Sequence, residues 1–509
     1  MKSFLRLLGG SFCVSLLMLA SLFLPSVASA SSVSQPAFKL PNSPLSTGLL
    51  VAQAIHAGKL QVSSHGTNSS ASPNLTCTPA PCALPNVQAS GGNGTSIVNE
   101  DPIAANPKNG KQLLSGGNDY NCTSLQGFYS SSNGGSTWKS TCMNALSGAS
   151  GDGDPGVGYD LKGNSYISGI DTGTSDGSDI VFEKSSNNGG SWSAPAIAVR
   201  PAFSGGLTDK DWLAVDDTAS SPHANALYIS ITQFDSSNNS EISVSHSDNG
   251  GTTWTTTLVD TLQTYPNVDQ FSDLTIGKDG TVYVSWMRCT ANGSAGDCGG
   301  TTATFWISKS ADGGNTWSTP SQIGSATLAP DACACGFYGS LPNTNERVSD
   351  IPAIGIDNSA GHHAGNLYAV MYTWTGTYMQ VEVATSTNGG TTWGKPVAVA
   401  PKTAKHDQFF PWLSVSKNGT VGVSWLDRRN DPSNLSYETF ATVSTNGGTK
   451  FAKNLQIASV ASNPLNDGFN GGFMGDYTGN VWDGKTLYVS WMDTRNGTNC
   501  QDWVGGYFK

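Results

Sequence analysis

Ser247-Asp248-Asn249-Gly250-Gly251-Thr252-Thr253-Trp254 is one of six octets of the form Ser-x-Asn/Asp-x-Gly-x-x-Trp/Phe in this chain. The others begin at Ser131, Ser185, Ser310, Ser386 and Ser444 and end on Trp138, Trp192, Trp317, Trp393 and Phe451. Each follows an apolar run, such as Ile242-Ser243-Val244-Ser245, and precedes another short strand. The chemistry is that of a hairpin turn. The Asn or Asp side chain accepts from nearby backbone N–H groups, glycine supplies the positive φ, and the terminal aromatic buries against the sheet. A unit repeated at this spacing decides the fold class before any single residue does.

A second pattern lies upstream of each octet: an acidic residue, a short apolar strand, a turn, then a Tyr/Val/Ser/Trp strand. Asp209-Lys210-Asp211-Trp212-Leu213-Ala214-Val215-Asp216 leads to Leu227-Tyr228-Ile229-Ser230, and Asp350 to Asp357 leads to Leu367-Tyr368-Ala369-Val370. Variants begin near Asp101, Asp154, Asp269 and Asp407. A seventh copy starts near Asp476 and continues as Leu487-Tyr488-Val489-Ser490-Trp491, with no octet after it.

The six octets resemble the Asp boxes, or BNR repeats, of the sialidase-like β-propellers, over roughly residues 85–509. The resemblance implies an all-β fold: a propeller of seven four-stranded blades (six as the alternative), with Asp boxes in the turns between strands c and d. Three strands fit in the seventh repeat, so a segment near Pro85–Ala89 is expected to supply the fourth and leave no free edge.

Composition agrees. Of 509 residues 60 are glycine and 12 % are charged, which alone would permit disorder, but 14 Trp, 15 Tyr and 18 Phe argue against it. Helical heptads and a collagen period are absent. The formal charge is −11, so nucleic acid and anionic membranes are poor partners.

Residues 1–30 read as a secretory signal peptide: Lys2 and Arg6, an apolar stretch from Leu7 to Leu24, then Ala28-Ser29-Ala30. No other segment reads as a membrane span, and a secreted or cell-surface monomer is expected. Residues 31–84, rich in Ser, Pro and Asn, read as a linker. Outside the cell the remaining cysteines pair by default. Cys122 with Cys142 and Cys289 with Cys298 each flank a hairpin. A bridge from Cys500 to Cys77 or Cys82 would staple the ring. No spacing fits zinc, and no cofactor is required. Asp-rich loops at 151–155 and 171–179 leave a structural Ca²⁺ open, with solvated turns as the plainer reading.

Residues just before strand a and just after strand b converge on the mouth opposite the boxes. Arg288, Arg428, Arg429 and Arg495 follow strand b, and Arg347 precedes strand a of the fifth repeat. Guanidinia there would hold the carboxylate of an acidic sugar. The alternative is that they pair with the ring of aspartates and brace the blades. The family resemblance implies a Tyr nucleophile assisted by a Glu, with an Asp as acid/base. Tyr477, Glu346 and Asp101 are the candidates, with Asp154 and Asp211 equal to Asp101. The family's Arg motif at the first inner strand is missing, where Glu100-Asp101-Pro102-Ile103-Ala104 stands instead. The expectation is therefore a sialidase-type exo-glycosidase acting on a glycan. The alternatives are a non-catalytic carbohydrate- or protein-binding propeller and a different glycan-cleaving enzyme working with two carboxylates.

Overall fold

The computed structural model describes residues 39–62, 75–92, 97–174 and 177–509. The leader read at 1–30 lies outside them. Seven antiparallel sheets follow one another in sequence. Blades 1 to 6 cover residues 98–142, 150–199, 207–258, 267–327, 353–398 and 408–456. Their innermost strands (a, with b, c and d outward) touch in a closed ring, and Gly479–Asp483 of blade 7 meets Ile103–Ala105 of blade 1. The blade count is seven.

Blade 7 takes Gly479–Asp483, Thr486–Asp493 and Gln501–Phe508 from the C-terminal part of the chain. Its outer strand is Cys82–Gln88, running antiparallel with Cys82 opposite Phe508 and Gln88 opposite Trp503. The expected closing strand is thus present, three residues earlier than Pro85. The expected staple is different: Cys77 pairs with Cys82, and Cys500 is buried and unpaired. Cys122–Cys142, Cys289–Cys298 and Cys333–Cys335 complete the disulfides.

All six octets form one turn. In the third, Gly251 N–H donates to Ser247 Oγ at 3.0 Å and Thr253 N–H donates to Asn249 Oδ1 at 3.0 Å. The same pair of bonds recurs at 2.8 and 2.9 Å in the fourth and at 3.1 Å each in the sixth. The fourth position is left-handed throughout (Gly134, Asn188, Gly250, Gly313, Gly389, Gly447), which is why only Gly or Asn stands there. In two boxes the closing Trp reaches back to the preceding blade, while Trp138 and Trp393 donate to the Gly135 and Gly390 carbonyls of their own boxes. Trp192 Nε1 donates to Thr141 Oγ1 and Trp317 Nε1 to Thr257 Oγ1. Each box therefore ends its own hairpin, and the second and fourth also bond to the blade before them.

The reading of 31–84 as a linker is corrected by residues 39–62. Thr47–His56 form an α-helix, α1, with Ser46 as N-cap accepting from Leu49 N. Leu45, Leu49, Leu50 and Val51 are buried and join the main core, and Ala52 is buried beside them. A run of Leu, Val, Ala and Ile behind a serine cap is a helix signal, and the Ser/Pro/Asn bias around it hid the run. Among the described residues no helix is long and apolar enough to cross a membrane.

Candidate active site

Strand a carries the same irregularity in blades 2, 3, 4 and 6. The register slips between Gly153 and Gly156, Asp209 and Trp212, Gln270 and Asp273, and Phe409 and Trp412. Within each slip one non-glycine residue is left-handed: Asp154 (φ 52°), Lys210 (50°), Phe271 (64°) and Phe410 (46°). In blade 1, Glu100 (φ 63°) breaks the strand between Asn99 and Ile103. Such residues cost on the order of 1–3 kcal/mol each and persist where the surroundings impose them, typically at sites. Here they turn acidic side chains toward the axis at the mouth opposite the boxes.

The result is a cluster of buried carboxyls. Lys210 N–H lies 3.1 Å from Asp154 Oδ2 and 2.9 Å from Asp209 Oδ1, so both carboxyls share one donor. Glu100 accepts from Asn118 Nδ2 (2.9 Å) and from Asp476 N–H (3.1 Å) and is in hydrogen-bond contact with Asp154. Burial, then the charges of Asp154 and Asp476, push the Glu100 carboxyl well above the usual carboxylate range. Asp154 Oδ1 is buried and has no partner. Burial also raises Asp209, with the Asp154 charge adding to it.

Two cations face these acids, one ion-paired and one without a hydrogen-bond partner. The Arg347 guanidinium forks onto Asp476 and donates to the Leu45 carbonyl (2.5 Å). Lys210 Nζ has no hydrogen-bond partner and lies 4.0 Å from the Tyr477 ring centre and 4.7 Å from that of Trp212. Trp212, Trp412 and Tyr477 pack together, with centroids 4.4 to 6.1 Å apart. They form a septum below the carboxyls. Beyond it an axial cavity of about 290 Å³ opens toward the box face, lined by Val157, Leu213, Leu274, Ile354 and Leu413.

The other four arginines are not at this cluster. Arg288 grips Asp269 with two bonds (2.6 and 2.7 Å) and Asp260 with a third, its plane over Trp306. Arg429 pairs with Asp427 over Phe440. Arg495 pairs with Asp493 (2.8 and 2.7 Å) over Trp503 at 3.8 Å. Arg428 is fully buried, donating to Asp407 Oδ2 (3.3 Å) and the Pro342 carbonyl (3.0 Å). Each guanidinium thus sits between an aspartate and an aromatic ring, bracing its blade, and only Arg347 reaches the mouth. Arg428→Ala is expected to cost roughly 3–5 kcal/mol by leaving Asp407 buried and uncompensated. Denaturant titration checks this, and an unchanged midpoint would remove the bracing role.

The expected catalytic trio is also dispersed. Tyr477 is in the septum; burial first, then Glu100 and Asp154, keep its phenol protonated. Its hydroxyl reaches only the Pro155 carbonyl, at 3.4 Å. Glu346 accepts from Met474 N–H (2.7 Å) and neighbours Asp467. Asp467 in turn accepts from the N–H groups of Phe469, Gly471, Gly472 and Phe473, so this pair shapes the loop before strand a of blade 7. Asp101 is buried against the charge of Asp502, and Asp211 accepts from Ser168 Oγ at 2.6 Å. Of the three proposed acids, Asp154 alone belongs to the cluster. Glu100, Asp209, Lys210 and Asp476 were visible in the repeat starts, but nothing in the sequence told the bulged, inward-turned residue from its neighbours.

In the loops weighed for Ca²⁺, Asp152 meets His56 (2.8 Å) and Asp171 accepts from Leu146 N–H (2.7 Å), while Asp152 Oδ2 and Asp154 Oδ1 have no partner. Among the described residues, one His/Cys/Asp/Glu group has ligand atoms close enough for a metal, Asp331, Cys333 and Cys335. Its two sulfurs are joined to each other, which withdraws the thiolates a metal would need.

No family profile matches the chain, and no curated protein does. Solved structures that resemble it are a Hadza microbial sialidase (13 % identity, 70 % of this chain and 65 % of that one, TM-score 0.43) and a Penicillium chrysogenum α-L-arabinanase complexed with arabinobiose (11 %, 70 % and 92 %, 0.42). A third is the intramolecular trans-sialidase from Ruminococcus gnavus (10 %, 73 % and 96 %, 0.44). This chain thus spans about two thirds of the first of these. Identities this low leave the mouth to be read from its own residues.

Proposed function

We propose that the protein is a propeller glycoside hydrolase that works with carboxyl groups at the axial mouth and takes a neutral sugar. The observation that carries this reading is the Glu100–Asp154 contact, with Asp154 Oδ1 unpartnered and lying against Gly48. Burial and the neighbouring charges favour the protonated form of Glu100. That places an acid beside a second carboxyl. The protonated group gives its proton to the glycosidic oxygen as the C–O bond breaks. A carboxylate takes a proton from the water that adds to the anomeric carbon. The products are a hemiacetal and a free alcohol.

The charge balance favours a neutral sugar over an acidic one. Glu100, Asp154, Asp209 and Asp476 are suited to accept sugar hydroxyls, while Arg347 is paired with Asp476 and Lys210 lies over the Tyr477 and Trp212 rings. A sialidase-type clamp would need guanidinia that here brace blades. Four disulfides support work outside the cytoplasm.

A panel of 4-methylumbelliferyl glycosides tests the reading. Release from at least one neutral pyranoside or furanoside, and none from the sialoside, is expected. Release from the sialoside alone would overturn it.

A further inference from the structure

The mouth is already filled by the chain's own segment 39–62, and this segment touches the very groups assigned to substrate. Ser46 N–H donates to Asp209 Oδ2 at 2.6 Å. Thr47 places both its N–H and its hydroxyl on the two oxygens of Asp476, each at 2.9 Å. The Pro44 carbonyl accepts from Tyr338 (2.6 Å) and Gln270 (3.2 Å), and the Leu45 carbonyl from Arg347. At the far end of α1, His56 meets Asp152 at 2.8 Å.

The fit at Gly48 is close enough to be specific. A Cβ there would lie 2.7 Å from Asp154 Oδ1, 2.9 Å from Asn118 Nδ2 and 3.2 Å from Glu100 Oε2. Nothing but glycine seats the first helical turn over the unpartnered oxygen. The helix also points its N-terminus at the carboxyls, and its dipole adds to their attraction.

We propose that residues 39–62 are an autoinhibitory plug, which occupies the acid-lined mouth in place of substrate and has to leave before a glycan enters. This rests on the glycosidase reading for what the plug excludes. The contacts themselves argue for exclusion. Thr47 sets two donors on one carboxylate as a vicinal diol would, and Ser46 sets a third on Asp209. The plug thus presents donors where sugar hydroxyls would sit. Its release also exposes Leu45, Leu49, Leu50 and Val51, which join the main core, so the plug is held by apolar burial as well as by polar bonds that a ligand can replace.

The experiment keeps the full chain and cuts it after folding. A protease recognition sequence is placed within residues 63–74, between the plug and the strand that closes the ring. The folded protein is cut, diluted and separated by size. The plug is expected to come away from a propeller that keeps its near-ultraviolet circular dichroism. Hydrolysis of the best aryl glycoside should rise at least tenfold. Added synthetic 39–62 peptide should suppress it by raising KM and leaving kcat unchanged, whereas peptide carrying Gly48→Val should not.

In the uncut chain, Gly48→Val should strip α1 amides of their protection from hydrogen exchange and raise activity without cutting. Rebinding of the native peptide and not of the Gly48→Val peptide, seen by calorimetry with no hydrolysis of any substrate, would support the plug and sink the glycosidase reading. A plug that leaves only when the propeller unfolds would overturn the proposal. So would a Gly48→Val chain that keeps full α1 protection.

Discussion

Glu100→Gln and Asp154→Asn should each lower kcat of the plug-free propeller by roughly 10²–10⁴-fold, the usual contribution of a positioned acid or base. KM should change little, because the amides are isosteric: Asp154→Asn keeps an oxygen for the Lys210 N–H, and Glu100→Gln gives up one of the two N–H bonds that its carboxyl accepts. The two losses should not add. Glu100 and Asp154 are in contact and are proposed to act as a unit, so removing either member disables it, and the double variant should be hardly worse than the singles. The discriminating control is Tyr477→Phe. The Tyr477 hydroxyl touches only the Pro155 carbonyl, so activity should stay within a few-fold of the parent. A tyrosine nucleophile would instead make that variant inert. Steady-state kinetics on one aryl glycoside decides between the two, and an inactive Tyr477→Phe beside an active Asp154→Asn would move the chemistry to the septum.

The second large effect is on stability against pH. Burial raises Asp211 to about 8 and Asp273 to about 7, and raises Asp502 and Asp209 as well. In the unfolded chain these groups ionise near 4. Between about pH 4 and 8 the folded state therefore binds more protons than the unfolded one, and stability falls as pH rises through that window. The surface Asp312 works the other way: its carboxylate, held at about 2 chiefly by the Thr316 hydroxyl, supplies stability that is lost only as pH falls below about 4. The midpoint of thermal unfolding should thus be higher at pH 5 than at pH 8, by ~5 °C or more. Asp211→Asn should flatten part of that slope. A midpoint that rises from pH 5 to pH 8 would mean these carboxyls are ionised in the folded protein.

The sequence made the ring legible because its signals are local. Ser247, Asn249 and Gly251 meet within one turn, so eight residues suffice to read a box, and six boxes mark six of the seven blades. The missing fourth strand was also readable, since a sheet edge demands a partner. The site is long-range and was much less so. Arg288, Arg429 and Arg495 do follow strand b, but their direction is set by the aspartate and the ring each stacks on. Asp154 and Asp211 look alike in the sequence. The left-handed turn at Asp154 and the slip at Lys210 aim the first at the axis and the second at Ser168. The plug was obscured by composition: an amphipathic turn of helix inside a Ser- and Pro-rich stretch has no partner until the propeller exists.

Closure by Cys82–Gln88 also orders the making of the molecule. Gln88 and its neighbour Gln501 are 413 positions apart in the chain. The strand that seals the ring is therefore synthesised before blade 1 and waits until the last blade has emerged. Blades 1 to 6 can form one at a time from local hairpins, whereas blade 7 cannot form until the first and last strands find each other, a slow search for so distant a pair. Until then Gln501–Phe508 is an open edge able to pair with another chain. Rapid production should favour oligomers joined through that edge, and the monomer should be the product of slow synthesis.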